Sequence, residues 1–198
     1  MLFTTPFVAL LAIVGSAIAT PLVEVPEANV NHLEARVAAN NMVQITSTTD
    51  YCMIVPKNKK TNIGDSEQPG GMTTYCSKPT STLQGTFASN FWKKVTLKQA
   101  KGKNGKDYIQ LTGCINTTTL DRLNPSDGGG QYDSSGGAGG KGNPQGSQCT
   151  GYASYVELIE PADNRACIRC CQDKADCPTN KDTQGCPAVI PGTYTGCD

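Results

Sequence analysis

The 198 residues carry 17 basic and 17 acidic side chains, so the formal net charge is zero, and there is one histidine and one tryptophan. That balance argues against nucleic acid as a partner, and a lone histidine removes the usual general base from most hydrolase schemes. Ten cysteines, 21 glycines and 12 prolines leave little material for a large apolar core and point instead to a crosslinked, loop-rich chain.

The chain begins with an uncharged apolar run, LFTTPFVALLAIVGSAIA at residues 2–19, which ends in Ala17-Ile18-Ala19. This small-x-small ending is the pattern that signal peptidase reads. The run is short for a ~20-residue span, and no basic cluster follows it. A signal peptide at 1–19, a secreted extracellular product and no membrane span are therefore expected. Residues 20–50 carry four acids against Arg36, contain no cysteine and include the only histidine, His32. They read as a flexible arm or pro-segment with a short helix near 31–39. The folded domain is then 51–198.

From residue 51 the pattern turns to period two. Tyr51–Val55, Met72–Cys76, Phe87–Gln99, Tyr108–Ile115, Tyr152–Ile159 and Ala188–Ile190 are strand candidates rich in β-branched and aromatic residues. The clearest hairpin is VTLKQAKGKNGKDYIQLTGCI, where Val95 and Leu97 alternate with polar neighbours, Ile109 and Leu111 do the same on the return, and Asn104-Gly105 predicts a type I′ turn. Helical windows are few, chiefly Arg165–Lys174. The expected fold is mainly β, a small disulfide-stapled sandwich or barrel with a cysteine-rich C-terminal region.

The cysteines are Cys52, Cys76, Cys114, Cys149, Cys167, Cys170, Cys171, Cys177, Cys186 and Cys197. Their number is even, and in a secreted chain they read as disulfide partners. Cys167-x-x-Cys170 has zinc-ligand spacing, but a second such pair and nearby histidines are missing. A redox motif would sit in a βαβ context, whereas proline, glycine and further cysteines follow this one. No metal and no cofactor are expected. Cys170 and Cys171 should have different partners, because a vicinal disulfide is strained.

Residues 126–148, SDGGGQYDSSGGAGGKGNPQGSQ, read as a long surface loop closed by Cys149. The glycines do not fall in a phosphate-cradle context. Asp127 and Asp133 bracket Gln131-Tyr132, yet the spacing is not that of a calcium loop. Charge is lopsided locally: residues 57–106 hold ten lysines against Asp65 and Glu67, a net of +8, and residues 107–198 hold six basic against eleven acidic side chains, a net of −5. Lys93, Lys94, Lys98, Lys101, Lys103 and Lys106 lie on or beside the hairpin and form the candidate binding ribbon for an anionic ligand. The plainer reading is an exposed edge guarded by lysines. Asn116-Thr117-Thr118 is the one glycosylation sequon.

Serine or cysteine hydrolysis needs a base that the domain lacks. A glycosidase needs only two acids, and Asp121, Asp127, Asp133, Glu157, Glu160 and Asp163 are available. Nothing in their spacing singles out a pair. Within VELIEP the alternation predicts Leu158 toward the core and Glu157 and Ile159 away from it.

The stretches GGGQYDSS, CTGYASYVELIEP and ACIRCCQDKADCPTNKDTQGCPAVIPGTY resemble a largely uncharacterised group of small secreted cysteine-rich fungal proteins of basidiomycete type, some of them effector candidates. The likeness covers 127–194, with YCMIVP at 51–56 and TTYC at 73–76 fitting more loosely. It implies a fungal extracellular origin and carries no mechanism. The expected function is binding at the cell surface or a host interface, by a monomer and without catalysis, to an extracellular partner such as a polysaccharide or host protein. The alternatives are a wall protein that binds carbohydrate or acts on it through paired carboxylates, and a protease inhibitor.

Overall fold

Ten strands pair into two five-stranded sheets in the computed structural model, which describes residues 39–197. The leader at 1–19, residues 20–38 of the arm and nearly all of the helix expected at 31–39 lie outside them. The first sheet runs in the order β4 (Gly85–Thr86), β3 (Met72–Cys76), β2 (Asp50–Pro56), β1 (Met42–Ser47) and β8 (Gln148–Cys149). The second runs β5 (Trp92–Lys101), β6 (Asp107–Ile115), β10 (Arg165–Cys171), β9 (Ser154–Glu160) and β7 (Gly130–Asp133). The protein is thus mainly β and sandwich-like, without barrel closure.

Val43, Met53 and Val55 of the first sheet pack with Ile109, Leu111, Tyr155, Ile159 and Ile168 of the second in one buried cluster. Phe87 and Phe91, 4.4 Å apart, close one end of this core beside Tyr51. A second cluster joins Val156, Leu158, Cys167 and Cys171 to Cys177, Cys186, Val189 and Ile190 of the C-terminal segment. Strands β9 and β10 of the second sheet are therefore covered on both faces, and all seven residues of β9 are buried.

This double cover explains where the sequence reading differs from the structure. Glu157 and Ile159 share a side of β9 with Tyr155 and face the inter-sheet core, while Leu158 faces the C-terminal cover. The helical window at Arg165–Lys174 is strand β10 through Cys171, because a strand buried on both faces loses its alternation. Ala188–Ile190 instead ends a short helix, Gly185–Val189. The folded part extends before residue 51, since β1 pairs with β2 and buries Val43 and Ile45. The hairpin forms and pairs Leu97 with Leu111, but only Gly105 of the Asn-Gly pair takes a positive φ, 70°, so the turn is not type I′.

All ten cysteines are paired. The bonds are Cys52–Cys76, Cys114–Cys197, Cys149–Cys170, Cys167–Cys186 and Cys171–Cys177. Successive strand residues point to opposite faces. Cys170 accordingly reaches inward to β8 of the first sheet, while Cys167 and Cys171 reach outward to the cover. The same alternation puts the two sulfurs of Cys167-x-x-Cys170 on opposite faces of the sheet, so this spacing forms neither a zinc pair nor a redox pair. Among the described residues no helix is long and apolar enough to cross a membrane.

Candidate functional site

Strand β7 interrupts the glycine-rich stretch: Gln131, Tyr132 and Asp133 are buried, and the true loop is residues 134–147. This loop is tied down along its length. The Asp133 carboxylate accepts the backbone N–H of Ser135 at 2.8 Å and that of Gly136, an Asx-type local closure. Asp133 and Asn143 exchange backbone hydrogen bonds of 2.9 and 2.7 Å. Tyr155 donates its hydroxyl to Ser147 at 2.8 Å, and Asn41 donates its side-chain amide to the Gln145 carbonyl at 2.8 Å. Gly142 must be glycine: its φ is +91°, and a Cβ there would lie 3.0 Å from the Pro144 carbonyl oxygen and 3.1 Å from that of Asp133.

Held this way, the loop forms one wall of a groove of about 440 Å³. The 67–72 segment that leads into β3 and residues 40–41 supply the rest. Asn40, Asn41, Gln68, Asn143 and Gln145 contribute amide-bearing residues, Glu67 and Lys141 the charged ones, and Pro69, Met72 and Pro144 an apolar strip. Glu67 also lines a neighbouring pocket of about 220 Å³ with Gly128–Gly130, Gln131, Glu160 and Asp182. Partial burial pushes the Glu67 carboxyl above its ordinary value, opposed by the Asn143 amide and reinforced by the charges of Asp182 and Asp133.

The six carboxylates considered from sequence do not assemble into a catalytic pair. Asp121 is an exposed partner of Lys59 and Arg122. Asp127 accepts the Ile63 N–H at 2.7 Å at the start of a one-turn helix, Ile63–Ser66. Asp133 closes the loop. Glu160 holds Arg165 through two bonds of 2.7 and 3.1 Å and also accepts the Cys186 N–H, and Asp163 pairs with Arg165 from the side. Glu157 is sealed in the core.

The lysine ribbon divides in three. Lys101 pairs with Asp107 at 2.6 Å. The tip bearing Lys103 and Lys106 is clasped by the C-terminal segment, with the Lys103 N–H on Asp176 at 3.1 Å and the Asn104 side chain on Asp173 at 2.6 Å. Lys93, at a bulge, and Lys94 and Lys98, on the outer face of edge strand β5, form no ion pair among the described residues. The Lys98 Nζ sits 5.9 Å above the Tyr108 ring, which Arg169 also covers at 4.6 Å.

Asn116 follows β6 at the start of a 3₁₀ turn, Thr117–Thr119, and is half-buried. Thr118 Oγ1 donates to its side-chain oxygen at 2.8 Å, and Nδ2 has no acceptor among the described residues. Glycosylation at this nitrogen is therefore expected in exported material. Enzymatic deglycosylation should increase gel mobility, and an Asn116→Gln variant should migrate with the deglycosylated form. Identical mobility of treated and untreated wild type would remove the site.

The groove was not legible from spacing, because its walls come from chain positions about 100 residues apart, with Asn40 and Gln145 at the extremes. Only the glycine-rich run hinted at a built loop. A scan against protein-family models and searches of curated proteins and of solved structures found no match to this chain.

Proposed function

We propose that the chain is an exported, disulfide-stapled protein that binds a hydroxyl-rich ligand, a wall or host-surface carbohydrate, in the groove beside the glycine-rich loop, without catalysis. The observation that carries this reading is the anchored 134–147 loop, whose hydrogen bonds fix one wall of a groove that presents five amide-bearing residues. An amide side chain offers both a donor and an acceptor, as does each sugar hydroxyl, and pre-formed concave sites with a few convergent polar groups are where small ligands bind. Five disulfides fit an oxidising compartment. The engagement of the sequence-derived carboxylates in the fold favours binding over paired-acid hydrolysis.

The test is a glycan array with the purified mature protein, followed by titration of the best ligand. Replacing both Asn143 and Gln145 with alanine should weaken binding by about tenfold, since neutral hydrogen bonds contribute about 0.5–1.5 kcal/mol each and about 1.4 kcal/mol is tenfold in affinity. An array with no glycan bound, or wild-type affinity in the double variant, would remove the groove as the site.

A further inference from the structure

We propose that the ligand of the groove is an amino sugar, its protonated amine seated in the adjoining pocket formed by Glu67, Gln131 and Asp182. This rests on the groove reading and names the substrate class of the same site. Gln131 is only 5% exposed. Its Nε2 donates to Asp133 at 3.1 Å and to the Thr179 carbonyl at 3.2 Å, which fixes the amide orientation. Its Oε1 has no hydrogen-bond partner among the described residues. A buried acceptor without a donor is costly, about 1–3 kcal/mol, and this one belongs to a residue lining a pocket of about 220 Å³.

The pocket also carries the carboxylates of Glu67 and Asp182, both on exposed residues. Glu67 and Asp182 form no ion pair among the described residues, while the third carboxylate, Glu160, is already satisfied by Arg165 and the Cys186 N–H. Glu67 and Asp182 thus present acceptors and negative charge, beside a buried Gln131 Oε1 that lacks a donor. An ammonium group brings three donors, no acceptor and one positive charge. A calcium ion is a poorer match, because it takes six to eight oxygens and no group of three or more His, Cys, Asp or Glu side chains among the described residues is arranged to hold a metal. Glu67 lines both spaces, so an amine held there belongs to a molecule that continues into the amide-lined groove. Hydroxyls on the one side and an amine on the other describe an amino sugar.

The experiment is calorimetric titration of the whole folded protein with a glucosamine tetramer, its fully N-acetylated counterpart and tetralysine. The free-amine tetramer should bind at least tenfold tighter than the acetylated one, and tetralysine should bind weakly or not at all. Glu67→Gln and, separately, Asp182→Asn should each reduce the preference to near parity while a cooperative thermal transition is retained. Both residues are exposed and tolerate an isostere. Equal binding of the two tetramers by wild type, or a preference that survives both substitutions, overturns the amine and leaves the groove reading standing. Binding of neither tetramer overturns both for these sugars. Tight tetralysine binding that is lost in Glu67→Gln keeps the ammonium pocket but overturns the sugar.

Discussion

Full reduction of the protein should abolish its cooperative thermal transition at neutral pH. The disulfides join layers as well as strands: Cys149–Cys170 links the two sheets, and Cys114–Cys197 and Cys167–Cys186 hold the C-terminal cover on the outer face of the second sheet. They close separations of 83, 24, 21, 19 and 6 residues. In the chain-entropy account each contributes ~2–4 kcal/mol by restricting the unfolded chain, so even a partial sum meets the ~5–15 kcal/mol net stability of a typical domain. Loss of the cover would also wet Val156 and Leu158, which have 0% and 1% exposure. Native protein treated with an alkylating agent should show no modified cysteine by mass spectrometry, and reduced protein should show all ten. An unchanged midpoint after complete reduction would mean that the two clusters hold the fold without crosslinks.

What the sequence disclosed follows from which faces are solvated. Strand β5 lies at a sheet edge with one side in water, so Val95 and Leu97 alternate with polar neighbours and the hairpin was readable. The cysteines were readable as staples because their count and the expected compartment need no geometry. Strands β9 and β10 lie between the inter-sheet core and the C-terminal cover, and a strand with two dry faces carries no alternation to read. That is why β10 resembled a helical window and why Glu157 was assigned the wrong face. Strand β7 was hidden by its flanking glycines, although Tyr132 is completely buried there and bonds Ser66 at 2.7 Å. The groove needed three separated segments at once. Glu67 drew no attention as a site residue, since its partners are far away in sequence.

The Glu157→Gln variant should be more stable than wild type at neutral and alkaline pH and should lose part of the wild-type pH dependence. Glu157 is fully buried on the inner face of β9, and its Oε2 accepts the Ile54 N–H of the opposite sheet at 3.1 Å. Its other oxygen has no partner among the described residues. Burial raises this carboxyl well above its ordinary value, and the Ile54 bond opposes the rise only in part. A folded-state value raised above the unfolded ~4.3 means that the folded protein holds the proton more tightly. The associated stability is complete below the unfolded value and is lost as pH climbs toward and through the raised folded one. Glutamine keeps an acceptor for Ile54, adds a donor and carries no charge to desolvate. Each pH unit of upward displacement amounts to about 1.4 kcal/mol, and about 1 kcal/mol moves the midpoint of a chain this size by ~2–4 °C. Glu67 has the same sign of dependence, so the informative quantity is the difference between variant and wild type, in which Glu67 cancels. Thermal midpoints measured from about pH 4 to about pH 9 should nearly coincide at the acid end and separate by several degrees at the other. Parallel curves across that range would mean that Glu157 ionises without penalty inside the sandwich, against everything its surroundings provide.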